Sequence, residues 1–526
     1  MIELSQARSK RLLAVHGWAG TVLGLALYVV ILTGAVVVFA HEIGTWSVSG
    51  SRAQQPLAAP MDAKIRELAG QVDPEYLDDI NLFHNPAGHI SAFFHTHGVK
   101  EDGHPMEKGV RFTFDPVTGE TLTRQEGYAD EFDDPVSALE HFLVELHVNL
   151  HAPNPVGLYL TGILGFAMLA AAVSGFLLHR HLIKDLFVAP RLSSRLLNAR
   201  DRHILAGSWG LPFAFVLAFT GAFLSFAGSI GLMTISMVAF GGDQEKLIET
   251  IIGTPEGEDA TPAPLANLDA MLRQSADKAH SAPAFVSIMH YGRADARVFA
   301  FHLAGEGELQ SQQHVFKGSD GSYLGPKPTI GTTPSAGDTA FTLVSVLHFG
   351  TFAGLLSRVI WFALGLAMCY VTLTGLQLWL RRRAESPLWR RLGRSVPIVG
   401  YGLPIALAAS GIGYLLALPA GTVLFWTPAS FLIGSGLAIV IGCILRDEVL
   451  LTRLYRGLLG AVLIALPVLR WLIDGTGWGP LMASGNDMVV LLDLALAAGG
   501  IGYLYAAFSR RPEARWSGAK RPVAAE

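Results

Sequence analysis

Cysteine is almost absent from this chain of 526 residues, which has only Cys369 and Cys443, both inside apolar stretches. Two such cysteines exclude a disulfide framework, a CxxC zinc site and a CxxCH site for covalent haem attachment. Charged residues are also scarce, at 16%, whereas hydrophobic residues make up 51% of the chain. This composition differs from that of an ordinary soluble protein.

Several common enzyme motifs are missing as well. The sequence has no P-loop, no GxGxxG after a predicted strand, no GxSxG and no HExxH. A flavin or nicotinamide site in these known forms is therefore not encoded. The formal net charge is -4, with basic residues in short loops and acidic residues in two long polar segments. This distribution argues against a nucleic-acid partner.

Long apolar runs are the main positive feature of the sequence. Eight runs of about 20 residues are long enough to span a bilayer as helices. They cover residues 12–40, 156–178, 204–228, 352–380, 397–420, 426–445, 455–473 and 487–508. The first run is too long for the apolar core of a signal peptide, so we expect it to remain as the first helix. The predicted fold class is an integral membrane protein that is mainly α-helical.

Basic residues in the short loops predict the orientation of the chain in the membrane. They precede span one, follow spans two, four and six, and follow span eight, as Arg8, Arg200, Arg381, Arg453 and Arg510 illustrate. All five loops fall on the same side if eight helices alternate. We therefore expect both termini in the cytoplasm and segments 41–150 and 230–347 in the periplasm. The chain is then a multi-pass protein of a bacterial inner (cytoplasmic) membrane.

Both long external segments are predicted to be small α+β units. In the first, residues 61–70 form a short helix, residues 93–97 and 110–114 alternate as strands, and residues 115–119 form a hairpin turn. The second repeats this order, with a helix near 265–278, a strand over 297–302 and a turn at 319–321. The predicted domains are 1–40 (first membrane helix), 41–150 (external unit), 151–229 (helices two and three with a basic loop), 230–347 (second external unit), 348–383 (helix four) and 384–526 (four C-terminal membrane helices).

The two halves of the core share a residue pattern. The aligned residues are His16, Thr33 and Gly34 against His203, Thr220 and Gly221, and Leu164 and Gly165 against Leu364 and Gly365. We therefore predict a parallel internal duplication, a helix–domain–helix unit used twice about an axis along the membrane normal. The Thr-Gly pairs are interpreted as points of close helix packing. The last four spans show no such repeat and contain no histidine.

The placement of four histidines carries the functional prediction. His16 and His203 occupy equivalent positions near the predicted cytoplasmic ends of spans one and three, and His147 and His348 do so at the outer edges of spans two and four. Ionisable residues at membrane depth are costly and usually functional, and a neutral imidazole is a natural axial ligand of haem iron. We predict two non-covalent b-type haems, one between His16 and His203 and one between His147 and His348.

Two further histidines are alternative ligands. The partner of His16 stays open between His203 and His179, although Trp379 occupies the position equivalent to His179 in the second repeat. His151 is a rival to His147 but has no counterpart in the second copy. The alternative interpretation of any single histidine near a helix end is an interfacial residue whose polar tip reaches water.

A second group of histidines lies in the first external segment. Its members are His84, His89, His95, His97 and His104, with Glu101, Asp102 and Glu107 nearby. His95 and His97 are two residues apart on a predicted strand, so they project on one face and form a candidate transition-metal site. The alternative is a solvated histidine-rich loop, and the second segment offers only His302 as an echo of His95.

Together these motifs resemble the PepSY-associated transmembrane family, which includes iron-regulated membrane proteins and ferric-siderophore reductases. The resemblance covers about residues 8 to 383. It rests on His16 with Thr33-Gly34, Leu146-His147, Ser174-Gly175 followed by His179-Arg180, Asp201-Arg202-His203 with Thr220-Gly221, Leu347-His348-Phe349-Gly350, and the PepSY-like ending at 114–120. The second external segment departs from that ending at 317–321, and the four-helix tail lies outside the match.

The resemblance implies a haem-containing membrane reductase, linked to iron uptake, that passes electrons outward to ferric iron held by a siderophore. With the histidine pattern, it predicts a haem-b oxidoreductase, a ferric-chelate reductase, in which the cofactor carries the chemistry. The electron donor stays open between a quinol and a cytoplasmic reductase, and membrane lipid is the other expected partner. The alternatives are a transporter or permease, and a PepSY-type regulatory membrane protein without haem.

Overall fold

The computed structural model describes residues 5–48, 57, 60–100, 105–179, 183, 186–187, 189–191, 195–243, 246–247, 250–251, 259–304 and 307–509. The described chain is mainly helical and contains a separate antiparallel sheet. Within these residues, seven helices are long and apolar enough to cross a membrane, and an eighth span results if a bent pair is counted as one. The prediction of a mainly helical chain with several candidate membrane spans is therefore confirmed.

The first predicted span, 12–40, is broken in the structure. Helix α1 covers Gln6–Val22 and helix α2 covers Gly24–Val37, with a bend of 69° between them. The break falls beside Gly24, and glycine is a weak helix former that commonly accompanies a kink. Hydropathy is continuous across this point, so the hydropathy pattern alone does not predict the bend. Helix α3, Ala40–Ser47, follows α2.

Each of the seven predicted spans after the first corresponds mainly to a single helix. In chain order they are α4 (Asp62–Ala69), α5 (Ala138–Val148), α6 (Val156–Leu178), α7 (Arg195–Phe226), α8 (Leu232–Ala239), α9 (Leu268–Ala279), α10 (Ala336–Phe349), α11 (Gly354–Arg381), α12 (Pro387–Ala417), α13 (Val423–Ile444), α14 (Glu448–Asp474), α15 (Trp478–Ala483) and α16 (Asp487–Phe508). We call residues 387–508, which form α12 to α16, the tail.

Eight strands form one antiparallel sheet. They are β1 (Asp79–His84), β2 (Ile90–Val99), β3 (Pro105–Phe114), β4 (Thr121–Tyr128), β5 (Phe285–Met289), β6 (Arg297–His302), β7 (Gln312–Lys317) and β8 (Tyr323–Pro326), in the order β4-β3-β2-β1-β5-β6-β7-β8. The predicted turn at 115–119 joins β3 to β4, with the Gly119 N–H donating to the Asp115 carbonyl at 2.8 Å. The predicted strand over 297–302 is β6.

The two external segments, predicted as separate units over 41–150 and 230–347, contribute strands to one shared sheet. Each segment contributes four strands, but β1 pairs with β5, with Ile80 opposite Ile288 and Leu82 opposite Val286. Two separate sheets would leave β1 and β5 as edges with unpaired backbone groups. Pairing them also merges the two halves into one apolar core, which includes residues of α4 and α9 such as Leu268.

Candidate functional site

The structure brings the first predicted pair of histidines together. His16 lies on α1 and His203 on α7, and their ring centroids are 6.4 Å apart with an interplanar angle of 73°. Both residues are partly buried. His16 lies against Gly175 of α6, and His203 lies against Gly375 of α11. Helices α1, α6, α7 and α11 therefore meet at this pair, which we call the inner pair.

The second predicted pair also forms. His147 lies in the last turn of α5 and His348 in the last turn of α10, with ring centroids 6.3 Å apart and an interplanar angle of 23°. His147 lies against Gly34 of α2, and His348 lies against Gly221 of α7. We call these two histidines the outer pair.

Helix α7 measures the separation of the two pairs. It carries His203 of the inner pair, and Gly221, which contacts His348 of the outer pair, follows 18 residues later on the same helix. Eighteen residues of α-helix rise about 27 Å. This length is close to the roughly 30 Å hydrocarbon thickness of a bilayer, so the pairs lie near opposite faces of the spanning region.

The Nδ1 atom of each ring donates a hydrogen bond to a neighbouring helix. The carbonyl acceptors are Ala171 for His16 at 3.0 Å, Val371 for His203 at 3.0 Å and Val30 for His147 at 3.1 Å. A carbonyl oxygen only accepts, so Nδ1 of these rings carries the proton. Nδ1 of His348 lies 2.9 Å from Oγ1 of Thr220, whose hydroxyl donates to Val216, so this Nδ1 also donates. A neutral ring protonated at Nδ1 keeps its Nε2 lone pair for a ligand.

A serine or threonine followed by a glycine cradles each of the four rings. The pairs and their hydroxyl–Nδ1 distances are Ser174-Gly175 at His16 (3.1 Å), Thr374-Gly375 at His203 (3.3 Å), Thr33-Gly34 at His147 (3.4 Å) and Thr220-Gly221 at His348 (2.9 Å). Thr33-Gly34 and Thr220-Gly221, which the sequence predicts as points of helix packing, also contact His147 and His348, and these contacts were not predicted. The available signal was the recurrence of hydroxyl-glycine pairs at matched positions in both halves.

Side chains at positions 161 and 361 fix the helix ends that carry the outer pair. Thr161 of α6 donates to the Val148 carbonyl at 2.9 Å, and Nε1 of Trp361 in α11 donates to the Leu347 carbonyl at 2.9 Å. Val148 follows His147 and Leu347 precedes His348 in the sequence. Each outer histidine therefore lies at the end of the first helix of a helical hairpin, and the second helix of that hairpin is a candidate membrane span.

The distance between the ring centres in each pair equals the distance expected for two imidazoles bound to opposite sides of one metal ion. An imidazole nitrogen binds a first-row metal at about 2 Å, which places two opposed rings roughly 6 Å apart between centres. The inner pair at 6.4 Å and the outer pair at 6.3 Å have this spacing. A hydrogen bond from the other ring nitrogen to a carbonyl or hydroxyl is typical of metal-binding histidines, because it fixes the tautomer and the ring plane.

The two alternative ligands lie outside these pairs. Nε2 of His179 lies 3.3 Å from Oγ of Ser208 on α7. His151 stacks on Phe142 with ring centroids 4.6 Å apart, and its Nε2 lies 3.0 Å from the Phe142 carbonyl. Nε2 of His151 donates to that carbonyl, so this ring packs against the end of α5. His203 has a measured ring contact with His16, and the choice between His203 and His179 as the partner of His16 stays a prediction.

His95 and His97 lie on β2 with ring centroids 6.3 Å apart. His95 is 2% exposed and stacks on Phe93, and burial lowers its pKa to about 4. His97 is exposed, and its Nε2 lies 3.6 Å from Oδ2 of Asp79. Burial, followed by the charge of Asp78, raises the pKa of Asp79 to about 6.

Metal binding at His95 and His97 stays a prediction. Across the described part of the chain, no group of three or more His, Cys, Asp or Glu side chains is arranged to hold a metal ion. His84 ends β1 and His89 lies in the turn before β2, so neither joins His95 and His97. Glu107 lies on β3 opposite His97, and the remaining predicted members of the group, His104, Glu101 and Asp102, lie outside the described residues.

Similarity to known proteins covers two thirds of the chain. The chain is 30% identical over 380 residues to an uncharacterised protein of Pseudomonas aeruginosa, and the matched part is 67% of this chain and 92% of that protein. The sequence model of the family described as the PepSY-associated TM region matches residues 13–382. The matched residues include both histidine pairs and end before α12. The chain therefore belongs to the PepSY-associated TM family.

Proposed function

We propose that this chain is a haem-b oxidoreductase of the bacterial inner membrane that passes electrons outward to chelated ferric iron in the periplasm. The observation that carries the proposal is the presence of two histidine pairs with ring centroids 6.4 and 6.3 Å apart. In each pair, both rings donate through Nδ1 and keep Nε2 for a ligand. The pairs lie about 27 Å apart along α7.

Two haems would be held in the core. His16 with His203 would hold the inner haem, and His147 with His348 the outer one. Haem b, when bound, supplies a one-electron carrier whose potential depends on its axial ligands and their hydrogen bonds. The chain fixes the imidazole rings through the neighbouring carbonyls and hydroxyls. Buried apolar residues such as Phe213 and Met368, on α7 and α11, exclude water from the space between the pairs.

We also propose the duplication and the orientation that the sequence predicts. The duplication is supported by matched contacts, since each half has a hydroxyl-glycine pair at both of its histidines and a donor at 161 or 361 beside the outer one. The orientation is supported by arginines at 200, 202, 381–383 and 390–391, which lie at the ends of the spans opposite the sheet. On this topology the termini are cytoplasmic and the sheet is periplasmic.

The acceptor side follows from this topology. The outer pair lies on the helices that follow β4 and β8, so it is on the side of the sheet. A ferric chelate that docks there would receive an electron from the outer site, and a ferric siderophore is the acceptor that the family resemblance implies. The inner pair would then receive electrons from a quinol or a cytoplasmic reductase.

The test is the visible spectrum of the detergent-purified protein, oxidised and then reduced with dithionite, with a pyridine haemochrome count. We expect a Soret band that shifts on reduction and about two haems b per chain. His16→Ala and His348→Ala should each remove one haem. His151→Ala is the control, because His151 belongs to neither pair and its Nε2 is hydrogen-bonded to the Phe142 carbonyl. This variant should keep both haems. A colourless protein made with ample haem would overturn the proposal and leave a transporter or a regulatory membrane protein.

A further inference from the structure

The tail, which lies beyond the family match, packs against the helix that carries His147. One apolar cluster joins Trp46 of α3 and Leu139, Phe142 and Leu146 of α5 to all five tail helices. The tail members are Ala408, Tyr414, Leu415, Ala417, Val423, Leu466, Leu481, Val489 and Val490. Leu146 directly precedes His147 in the last turn of α5. The packing that holds this turn is therefore continuous with the tail.

The helix that carries the partner histidine is held differently. Of its described residues, α10 buries only Thr342 and Val346, whereas α5 buries five residues from Ala138 to Leu146. Phe349, next to His348, is 58% exposed. The outer pair thus joins a histidine on a helix covered by the tail to a histidine on a largely uncovered helix. In the described apolar cluster, the tail therefore contacts the helix of only one of these two histidines, His147.

A buried carboxylate fastens the tail to α3. Asp493 and Arg470 are each 1% exposed, with Nη2 of Arg470 2.6 Å from Oδ2 of Asp493 and Nε 3.2 Å from Oδ1. Nε1 of Trp46 lies 2.8 Å from Oδ1, and Nε1 of Trp478 lies 2.9 Å from Oδ2. A charge inside an apolar region is tolerated when it is paired and fully hydrogen-bonded, as this one is. Of these donors, only Trp46 comes from outside the tail.

A second polar contact crosses the same boundary. The hydroxyl of the buried Tyr414 donates to the Val136 carbonyl at 3.3 Å, two residues before α5 begins. In addition, Phe142 of α5 meets Phe431 of α13 edge to face, with ring centroids 5.3 Å apart. Buried polar contacts are directional and specify register, in a way that apolar packing alone does less well. These contacts therefore fix the position of α5 relative to the tail helices.

We infer that the tail positions His147: by holding α3 and α5 in register, it fixes the His147 ring opposite His348 and so tunes the outer site. Trp46, Asp493 and Tyr414 are positioning residues, and none of them is in the outer pair. The effect on electron transfer rests on the proposed function. The bracing of α5 does not, because it follows from protein contacts alone.

The test compares two variants that cut the tail from α3 and α5 with two matched controls. Trp46→Phe removes the indole donor that reaches Asp493 across the boundary, and Tyr414→Phe removes a hydroxyl without a change of shape. Trp478→Phe removes the other indole donor to the same carboxylate, but from within the tail. Tyr28→Phe removes a buried tyrosine hydroxyl that donates to the tail residue Gly400 at 2.7 Å, but from α2.

Two measurements on the full-length purified protein are needed. Hydrogen–deuterium exchange over residues 138–150 should be about three- to tenfold faster in Trp46→Phe and Tyr414→Phe, as expected when one net hydrogen bond is lost. A redox titration should show one of the two haem midpoint potentials shifted and the other unchanged. The controls should leave both quantities at the wild-type value.

Three outcomes would overturn the inference. The first is wild-type exchange over 138–150 in Tyr414→Phe, which keeps the test valid if Trp46→Phe does not fold. The second is equally fast exchange in the two controls, which would mean general loosening. The third is fast exchange with both midpoints unchanged, which would separate the tail from His147. A protein without haem would overturn the proposed function, while the exchange data would still decide whether the tail braces α5.

Discussion

At the scale of single residues, the glycines beside the histidine rings limit the space in which each imidazole can lie. A Cβ atom on Gly34 would be 2.8 Å from Cε1 of His147, closer than side chains normally approach. We predict that Gly34→Val displaces this ring and, if the proposed haems are bound, removes about one haem per chain, because a pair that has lost one of its imidazoles would no longer hold a haem from both sides. The pyridine haemochrome count measures the loss.

Gly436→Val is the matched control for this change. Gly436 also lies in the middle of a membrane-spanning helix, α13, but a Cβ atom there meets nothing within 4 Å. The control should keep two haems. An equal loss in both variants would attribute the effect to the helix and not to the contact with His147.

The hydroxyl that accepts from Nδ1 of His348 should tune the outer site. Thr220 Oγ1 lies 2.9 Å from this nitrogen, and Thr220→Val removes the acceptor while keeping the shape. A ring that has lost this hydrogen bond is a less basic ligand, which stabilises ferric iron less. We predict that one midpoint potential rises by roughly 20–60 mV, the equivalent of one net hydrogen bond for a one-electron couple. Redox titration followed at the visible bands measures it.

Thr427→Val provides the control for the threonine. Thr427 is also buried and makes the same hydroxyl contact with its own helix, to Val423 at 2.7 Å, but it lies in the tail and touches no histidine. Both midpoints should stay at the wild-type values. A fall of the potential in Thr220→Val, or an equal rise in Thr427→Val, would contradict the assigned role.

The histidines could be predicted from the sequence, whereas most of their partners could not. His16 and His203, and likewise His147 and His348, stand at matched positions of a repeat, and a repeat places matched residues near a common axis. The acceptors of three rings are backbone carbonyls, such as those of Ala171 and Val371. A carbonyl belongs to every residue, so no residue type in the sequence marks it. Of the groups that contact the rings, only the recurring hydroxyl-glycine pairs could have been recognised in the sequence.

At the scale of secondary-structure elements, the neighbouring strands β1 and β2 carry two side chains whose pKa values are shifted in opposite directions. Asp79 on β1 is opposite His95 on β2. Burial raises the pKa of Asp79 to about 6, so its stabilising contribution is present below its unfolded pKa near 3.9 and is lost as the pH rises through 6. Burial lowers the pKa of His95 to about 4, so its contribution is present above its unfolded value near 6.5 and is lost as the pH falls through 4.

Asp79→Asn should therefore stabilise the sheet at neutral pH and not in acid. The change removes a buried carboxylate that is ionised above pH 6, and we expect the free energy of unfolding to rise by about 2 kcal/mol at pH 7.5. Near pH 4 the wild-type carboxyl is already protonated in the folded state, so the gain should nearly vanish. Thermal unfolding of the full-length protein at both pH values measures the difference.

Asp320→Asn tests whether the gain depends on burial. A hydrogen bond from Ser322 holds the pKa of this exposed loop carboxyl below its usual range. Its ionised form is therefore favoured in the folded state, and the substitution should give no gain at pH 7.5. The same increase for Asp79→Asn at pH 7.5 and pH 4 would show that the effect is not a matter of ionisation.

The elements of the sheet could be predicted, but its assembly could not. Alternation along residues 297–302 is a local pattern, and it gave β6 with its bounds. The pairing of Ile80 with Ile288 joins strands about two hundred residues apart, and nothing in either strand specifies which edge it meets. The bend beside Gly24 was not predicted for a similar reason, because hydropathy reports burial in lipid and not the direction of a helix.

At the scale of the whole molecule, the sheet and the arginine-rich loops occupy opposite ends of the spans, and this asymmetry gives the last prediction. Val117 in the β3–β4 turn is 64% exposed, and Leu388 at the start of α12 is 66% exposed. These two positions offer equal access but different sides. Arginine-rich loops stay in the cytoplasm, so Val117→Cys should react with a membrane-impermeant maleimide in intact spheroplasts, and Leu388→Cys only after permeabilisation.

The native cysteines decide the background for that experiment. Cys369 is buried and Cys443 is exposed, so both variants are made with Cys443→Ser. Labelling at 388 from outside would reverse the topology. The outer pair and the sheet would then face the cytoplasm, and electrons could not reach a periplasmic chelate through them, even if both haems were present. Haem content and orientation are thus independent requirements of the proposed function, and each must hold before its direction is accepted.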